Sequence, residues 1–113
     1  MKTWTLRFRK ENKDDFDRLR SGIKSVETRA ASPKYQPVET GDNLFFVCGK
    51  DKFSKIIKKK YHFKDIDSML RKISFKKIGP KLKSKEELKK MYDSYPNYKE
   101  KIKKFGILAF ELE

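Results

Sequence analysis

Three side chains of opposite charge fall within six residues of this chain: Lys24, Glu27 and Arg29, in the run Gly22-Ile23-Lys24-Ser25-Val26-Glu27-Thr28-Arg29. A carboxylate between two cations stays ionised and holds both in place. Arg29 could then offer a bidentate fork to a phosphate or a base edge. Lys24 could supply a point charge or, if desolvated, act as a base. The plainer reading is a structural ion pair that ties a strand to a neighbouring loop.

Other chemistry has less to stand on. His62 is the only histidine, so no pair of histidines can build a nuclease centre within one chain. It alternates within an aromatic, lysine-rich stretch, where a surface role is expected. Cys48 is the only cysteine, which excludes an internal disulfide and, with one histidine, leaves a zinc site short of ligands. It lies in the apolar run Leu44 to Cys48 and reads as a small buried hydrophobe. Asp14, Asp15 and Asp17 suit the positive end of a helix better than a magnesium site. No glycine-rich phosphate loop is present. No metal and no cofactor is expected.

The elements that must position Lys24, Glu27 and Arg29 can be read from periodicity. Trp4, Leu6 and Phe8 alternate with polar neighbours over residues 3–9, a half-buried strand. Asn12 is placed to cap a helix whose apolar stripe is Phe16, Leu19 and Ile23, and Gly22 to stop it. Residues 25–30 read as extended, which puts Glu27 and Arg29 on one face. Residues 31–43 form a loop broken by Pro33 and Pro37 and closed by a turn at Gly41-Asp42-Asn43.

Strands follow at 44–48 and about 53–63, joined at Gly49-Lys50-Asp51. In the second, Phe53, Ile57, Tyr61 and Phe63 share a parity that Ile56 breaks, so a bulge is a possibility to be settled. Ile66, Met69, Leu70 and Ile73 are spaced as a short helix. Phe75 and Ile78 anchor a loop that turns at Gly79-Pro80 and could form a lid over the pocket. Ser84 and Glu87 match a capping box ahead of Leu88, Met91, Tyr92 and Tyr95. A last helix carries Tyr98, Ile102 and Phe105 to Gly106, and residues 107–112 alternate as a terminal strand. These elements predict an α+β fold: a small mixed β-barrel, closed to protect its edges, decorated by short helices, with residues 1–113 as one domain.

The net charge is +14 in 113 residues. Residues 50–104 hold twenty of the thirty basic side chains against seven acidic ones, so a polyanion is the expected partner. Lys58, Lys59 and Lys60 precede Tyr61 and Phe63, a pattern that can hold a phosphate backbone beside a stacked base. Lys77 and Lys81 extend the same field. Tyr35 is a candidate stacking residue, and Phe75 and Lys76 are candidate contacts from the lid. Apolar runs fall short of the roughly 18 residues a membrane span needs, and charges at Lys2, Arg7 and Arg9 leave no signal-peptide core. A cytoplasmic protein that avoids membranes is expected.

The run Gly22-x-Lys24-x-x-Glu27-x-Arg29, preceded by Phe16 and Leu19, resembles the signature of the ASCH domain family, which is grouped with the PUA-like β-barrels. Gly41-Asp42 before Leu44-Phe45-Phe46 resembles that family's second segment. The closing region, Glu87 to Lys90, then Tyr95-Pro96, then Ile107 to Leu112, is also similar, so the likeness spans about residues 3–112. The resemblance implies a cleft between the first helix and the barrel, lined by Lys24, Glu27 and Arg29, that binds RNA or a nucleotide-like ligand.

Some similar proteins are amidohydrolases that deacylate a modified cytidine. This chain resembles them at Lys24 and Arg29. It carries Glu27 where they place a threonine nucleophile and a residue near Lys81 where they place a glutamate. Another branch cuts RNA without a metal, a task that Lys24 and Glu27 would share as acid and base. The leading expectation is an RNA- or nucleotide-binding module, with single-stranded DNA or a nucleoside as other ligands. The alternative is a small metal-independent hydrolase, a ribonuclease or an amidohydrolase. A basic face used on a protein partner is a third reading.

Overall fold

The computed structural model describes all 113 residues. Strand β1 (Thr3–Arg7) leads through a 3-10 turn (Lys10–Asn12) into helix α1 (Lys13–Ser21). Strands β2 (Val26–Ala30), β3 (Asn43–Cys48) and β4 (Asp51–Phe63) follow. Four helices come next: α2 (Ile66–Lys72), α3 (Phe75–Ile78), α4 (Lys85–Asp93) and α5 (Tyr98–Phe105). Strand β5 (Ile107–Leu112) ends the fold. The hydrogen-bonded strand order is β1-β3-β4-β5-β2, with β1 and β3 parallel and the other pairs antiparallel.

The sheet curls into a half-barrel with β1 and β2 as its two free edges. The expected closed barrel does not form, because no ladder joins β1 to β2. Side chains cover part of that seam instead. The Thr28 N–H donates to Glu27 Oε1 at 2.9 Å, and the Ala30 N–H points to Tyr98 Oη at 3.5 Å. These are two of the three β2 donors that face away from β5, so the edge is partly blunted without a partner strand.

The curled sheet has an apolar cluster on each face. Leu6, Leu44, Phe46, Ile57, Leu108 and Phe110 fill the concave side together with Phe16 and Leu19 of α1. Val26, Ala30, Ile107 and Ala109 face the other side, against Met69, Ile78, Leu88, Tyr92 and Ile102 of the helices. Strands β2 and β5 are therefore covered on both faces. The odd parity of β4 is resolved by a bulge. Ile57 pairs with Leu112 and Lys59 with Glu111, so Lys58 is the inserted residue. Phe53 and Ile57 thus serve the concave cluster, whereas Tyr61 and Phe63 pack with the helices.

Local chemistry explains most of the element ends. Gly22 caps α1 at φ 89°, its N–H donating to the carbonyls of Arg18 and Leu19. That stop carries Ile23 off the helical stripe, and it is 65% exposed where burial was expected. Asn12 occupies the N-cap position of α1 but makes no side-chain cap bond, because a 3-10 turn precedes the helix. Ser84 accepts from the Glu87 N–H as expected of a capping box, while Glu87 Oε1 accepts from Lys83 N–H and not from Ser84. The expected loop at residues 75–78 is the short helix α3, capped by Ser74 and anchored by buried Ile78. Gly106 sits at φ 90°, where an added Cβ would lie 2.4 Å from the Phe63 carbonyl oxygen.

Candidate functional site

The seam between β1 and β2 opens into a cleft of about 260 Å³. Its floor is β2. Glu27 and Arg29 pair across the ladder with Phe110 and Leu108, so both side chains project from the concave face at the free edge. Lys24 reaches the same place from the end of α1, its N–H held by the Arg18 carbonyl at 3.0 Å. The neighbouring Ser25 N–H donates to the Lys77 carbonyl at 3.2 Å, which fixes the entry to β2 from the other side.

Glu27 is the centre of the polar group. Its Oε1 lies 3.6 Å from Lys24 Nζ and accepts from the Thr28 N–H, and its Oε2 lies 3.3 Å from an Arg29 terminal nitrogen. Lys24 is 5% exposed and Glu27 4%. Burial pushes the Glu27 carboxyl up, but Lys24, Arg29 and the Thr28 N–H together outweigh it and hold the group below its ordinary value. Burial likewise lowers the Arg29 guanidinium, and Glu27, with smaller help from Tyr98 and Tyr35, more than reverses that.

Aromatic rings hold Arg29 and build the facing wall. The guanidinium carbon of Arg29 lies 5.6 Å from the Phe8 ring centre and 5.8 Å from that of Tyr35. The Arg29 Nε is buried and has no hydrogen-bond partner. Tyr92, Tyr95 and Tyr98, from α4, the turn after it and α5, line the opposite side. Tyr92 and Tyr98 are stacked, and Tyr95 meets Tyr98 edge-on at 5.2 Å. Two of the three hydroxyls are engaged: Tyr92 with Thr28 Oγ1 and Tyr98 with the Ala30 N–H. The Tyr95 hydroxyl has no bond within the protein, and burial with nearby Asp15 raises it to about 12, so it is a neutral donor at ordinary pH. Arg7 at the end of β1, Arg9 just beyond it, Asn12 of the 3-10 turn and Asp15 of α1 stand at the rim.

The structure brings Lys24, Glu27 and Arg29 together in one cleft. Tyr35 packs beside Arg29 but does not line it. Phe75 and Lys76 lie in α3, away from the cleft, and Lys76 Nζ donates to the Leu82 carbonyl at 2.7 Å. Residues 74–77 therefore pack beneath β2 and do not cover the opening. Lys58, Lys59, Lys60, Lys77 and Lys81 also lie outside it. Lys58 sits at the β4 bulge near Glu111, Lys59 lies over the Tyr61 ring, and Lys60 is tied to the Gln36 carbonyl and to Glu39. Lys77 and Lys81 are exposed. His62 is exposed as well, with its Nε2 at 2.8 Å from the Phe105 carbonyl oxygen.

The site residues that sequence reading passed over are the two arginines flanking Phe8 and the tyrosines at 92, 95 and 98. Their signal was present as a three-residue tyrosine spacing that continues across Pro96. The break in the helix hid it.

No family model matches the chain, and no curated protein matches it. Solved structures do match, among them two of nearly the same extent. The crystal structure of a hypothetical protein, PH0355, is 27% identical over 98% of this chain and 97% of its own, with a TM-score of 0.83. The solution NMR structure of protein PF0455 from Pyrococcus furiosus is 26% identical over 98% of this chain and 96% of its own, with a TM-score of 0.76. The shared architecture, a curled mixed half-barrel decorated by short helices, resembles the PUA-like superfamily fold. No helix is long and apolar enough to cross a membrane.

Proposed function

We propose that this chain is an RNA- or nucleotide-binding module of the ASCH kind, and that the seam cleft is its recognition site. The observation that carries the reading is the lining of that cleft. Cations, one buried carboxylate and several aromatic rings converge on a space suited to a single nucleotide-sized group. A base has a flat face for Tyr95 and a polar edge for Lys24 and Glu27, and its phosphates have arginines within reach. Glu27 stays ionised beside Lys24 and Arg29, which suits accepting a ligand N–H more than donating a proton. Exposed lysines such as Lys58, Lys77 and Lys81 would hold the flanking backbone.

The test is binding of labelled single-stranded RNA over a salt series, with wild type beside Lys24→Ala and unlabelled single-stranded DNA as competitor. The incubated RNA is then run on a gel. A recognition site predicts intact RNA and a loss in the variant of more than about 1 kcal/mol, with altered sequence preference. A loss confined to a small change in salt slope would reduce the cleft to one more charge on a basic surface. RNA cut by the wild type and spared by the variant would move the reading to a ribonuclease.

A further inference from the structure

We infer that the rim of the cleft carries an anion subsite made by Arg7 and Arg9, so that the ligand is a phosphate-bearing nucleotide and not an uncharged nucleoside. This rests on the nucleotide-binding reading of the cleft and decides between ligand classes that reading leaves together.

Charge within the cleft is unevenly compensated. Lys24 and Arg29 share Glu27, and Asp15 lies 3.6 Å from Arg18. Arg7 and Arg9 have no carboxylate oxygen within 4.0 Å. Both are exposed residues of the rim, and neither guanidinium has a protein partner.

Their placement is also fixed. Phe8 lies between them, its N–H donating to the Val47 carbonyl at 2.8 Å and its ring packed against Phe16 and Phe46. Residues two apart on extended chain project to one side, with Cα atoms about 6.6 Å apart. Two guanidiniums at that spacing can converge on the oxygens of one phosphate. A base that enters between Tyr95 and the Lys24–Glu27 floor would leave its phosphate at this rim. A phosphate monoester and a phosphodiester present the same oxygens, so a free nucleotide and a strand of RNA satisfy the subsite alike.

Calorimetric titration of the full chain at low salt tests this. The ligands are the four ribonucleosides, their 5′-monophosphates, and dinucleoside monophosphates whose only phosphate is the diester. The phosphate-bearing ligands should bind about tenfold or more tightly than the matching nucleosides. Arg7→Gln/Arg9→Gln should remove that gain and leave nucleoside affinity within about twofold. Circular dichroism and each single variant check that the fold is kept, and the wild-type comparison needs no variant at all. Gain with the monophosphate alone assigns a free nucleotide, and gain with the diester assigns a strand; both support the subsite. Equal binding of nucleosides and nucleotides, or a preference that survives the double variant, overturns it while leaving the cleft as a nucleoside site. If no nucleoside, nucleotide or RNA binds, the proposed function fails and the subsite with it.

Discussion

Glu27→Gln isolates the charge of the buried triad with little change of shape. Glutamine keeps an acceptor for the Thr28 N–H but leaves Lys24, 5% exposed, with no counter-charge. Breaking a buried pair from one side costs about 3–5 kcal/mol, and the retained amide contacts place this change near the lower end, about 3 kcal/mol. For a chain of this size that is a fall in Tm of about 12 °C. Urea unfolding can be followed by Trp4, the single tryptophan, which is partly buried and donates to Asp42.

Adding Lys24→Met should restore much of the loss, with a coupling of about 1–3 kcal/mol between the two positions. The pH dependence has a definite sign. Glu27 has a lowered folded-state value, so its contribution is full above the unfolded value near 4.5 and is lost as pH falls through the lower folded one. The acid limb of stability should therefore be shallower in Glu27→Gln than in wild type. A loss under about 1 kcal/mol, no rescue by Lys24→Met, or an unchanged acid limb would refute the argument that these charges act as one unit.

Further outcomes follow from single contacts. Tyr95→Ala should weaken nucleotide binding by about 1–3 kcal/mol in a titration and also lower Tm, because the ring packs edge-on against Tyr98, whereas Tyr95→Phe should leave Tm nearly unchanged, because the hydroxyl it removes has no partner in the protein. Tyr92→Phe should do the reverse: stranding the Thr28 hydroxyl costs about 1–2 kcal/mol in urea unfolding, with affinity nearly unchanged. Asp42, which accepts from Lys2 N–H, Trp4 Nε1 and Glu39 N–H, is held down to about 2, so wild type should lose stability as pH falls from about 4 toward 2, and Asp42→Asn should flatten part of that fall. Gly106→Ala should destabilise by more than about 2 kcal/mol, seen as a lower Tm, since its Cβ would meet the Phe63 carbonyl in a left-handed backbone.

Where one physical signal dominated locally, the sequence was readable. Gly22 ended α1, Val26 to Ala30 formed the strand, and the spacing of Lys24, Glu27 and Arg29 put all three into one cleft. What could not be read depended on partners distant in the chain. The seam between β1 and β2 is a property of strand order, and alternation within a strand says nothing of which neighbour it lacks. The lysine and aromatic residues of β4 looked uniform because the bulge at Lys58 exchanges faces without any change of residue type. Phe75 and Ile78 announced an anchored segment, but the side it anchors to is set by the helix layer, so the segment lies beneath β2 and not over the cleft. Arg7, Arg9 and Tyr95 became site residues only when the strand end and the α4–α5 turn were placed across the same gap.

Strand β2 has one hydrogen-bonded neighbour, and that neighbour is β5. Val26 waits for Glu111, and Ala30 for Ile107. During synthesis, at about 5–20 residues per second, β1, β3 and β4 can pair while β2 is still without a ladder. A ribosome-bound chain extended only through α5 would already contain Lys24, Glu27 and Arg29, yet no strand ladder would hold β2 in register. The cleft is therefore the last part of this molecule to come into being, and a nascent chain rich in lysine lacks it until the strand at 107–112 has docked.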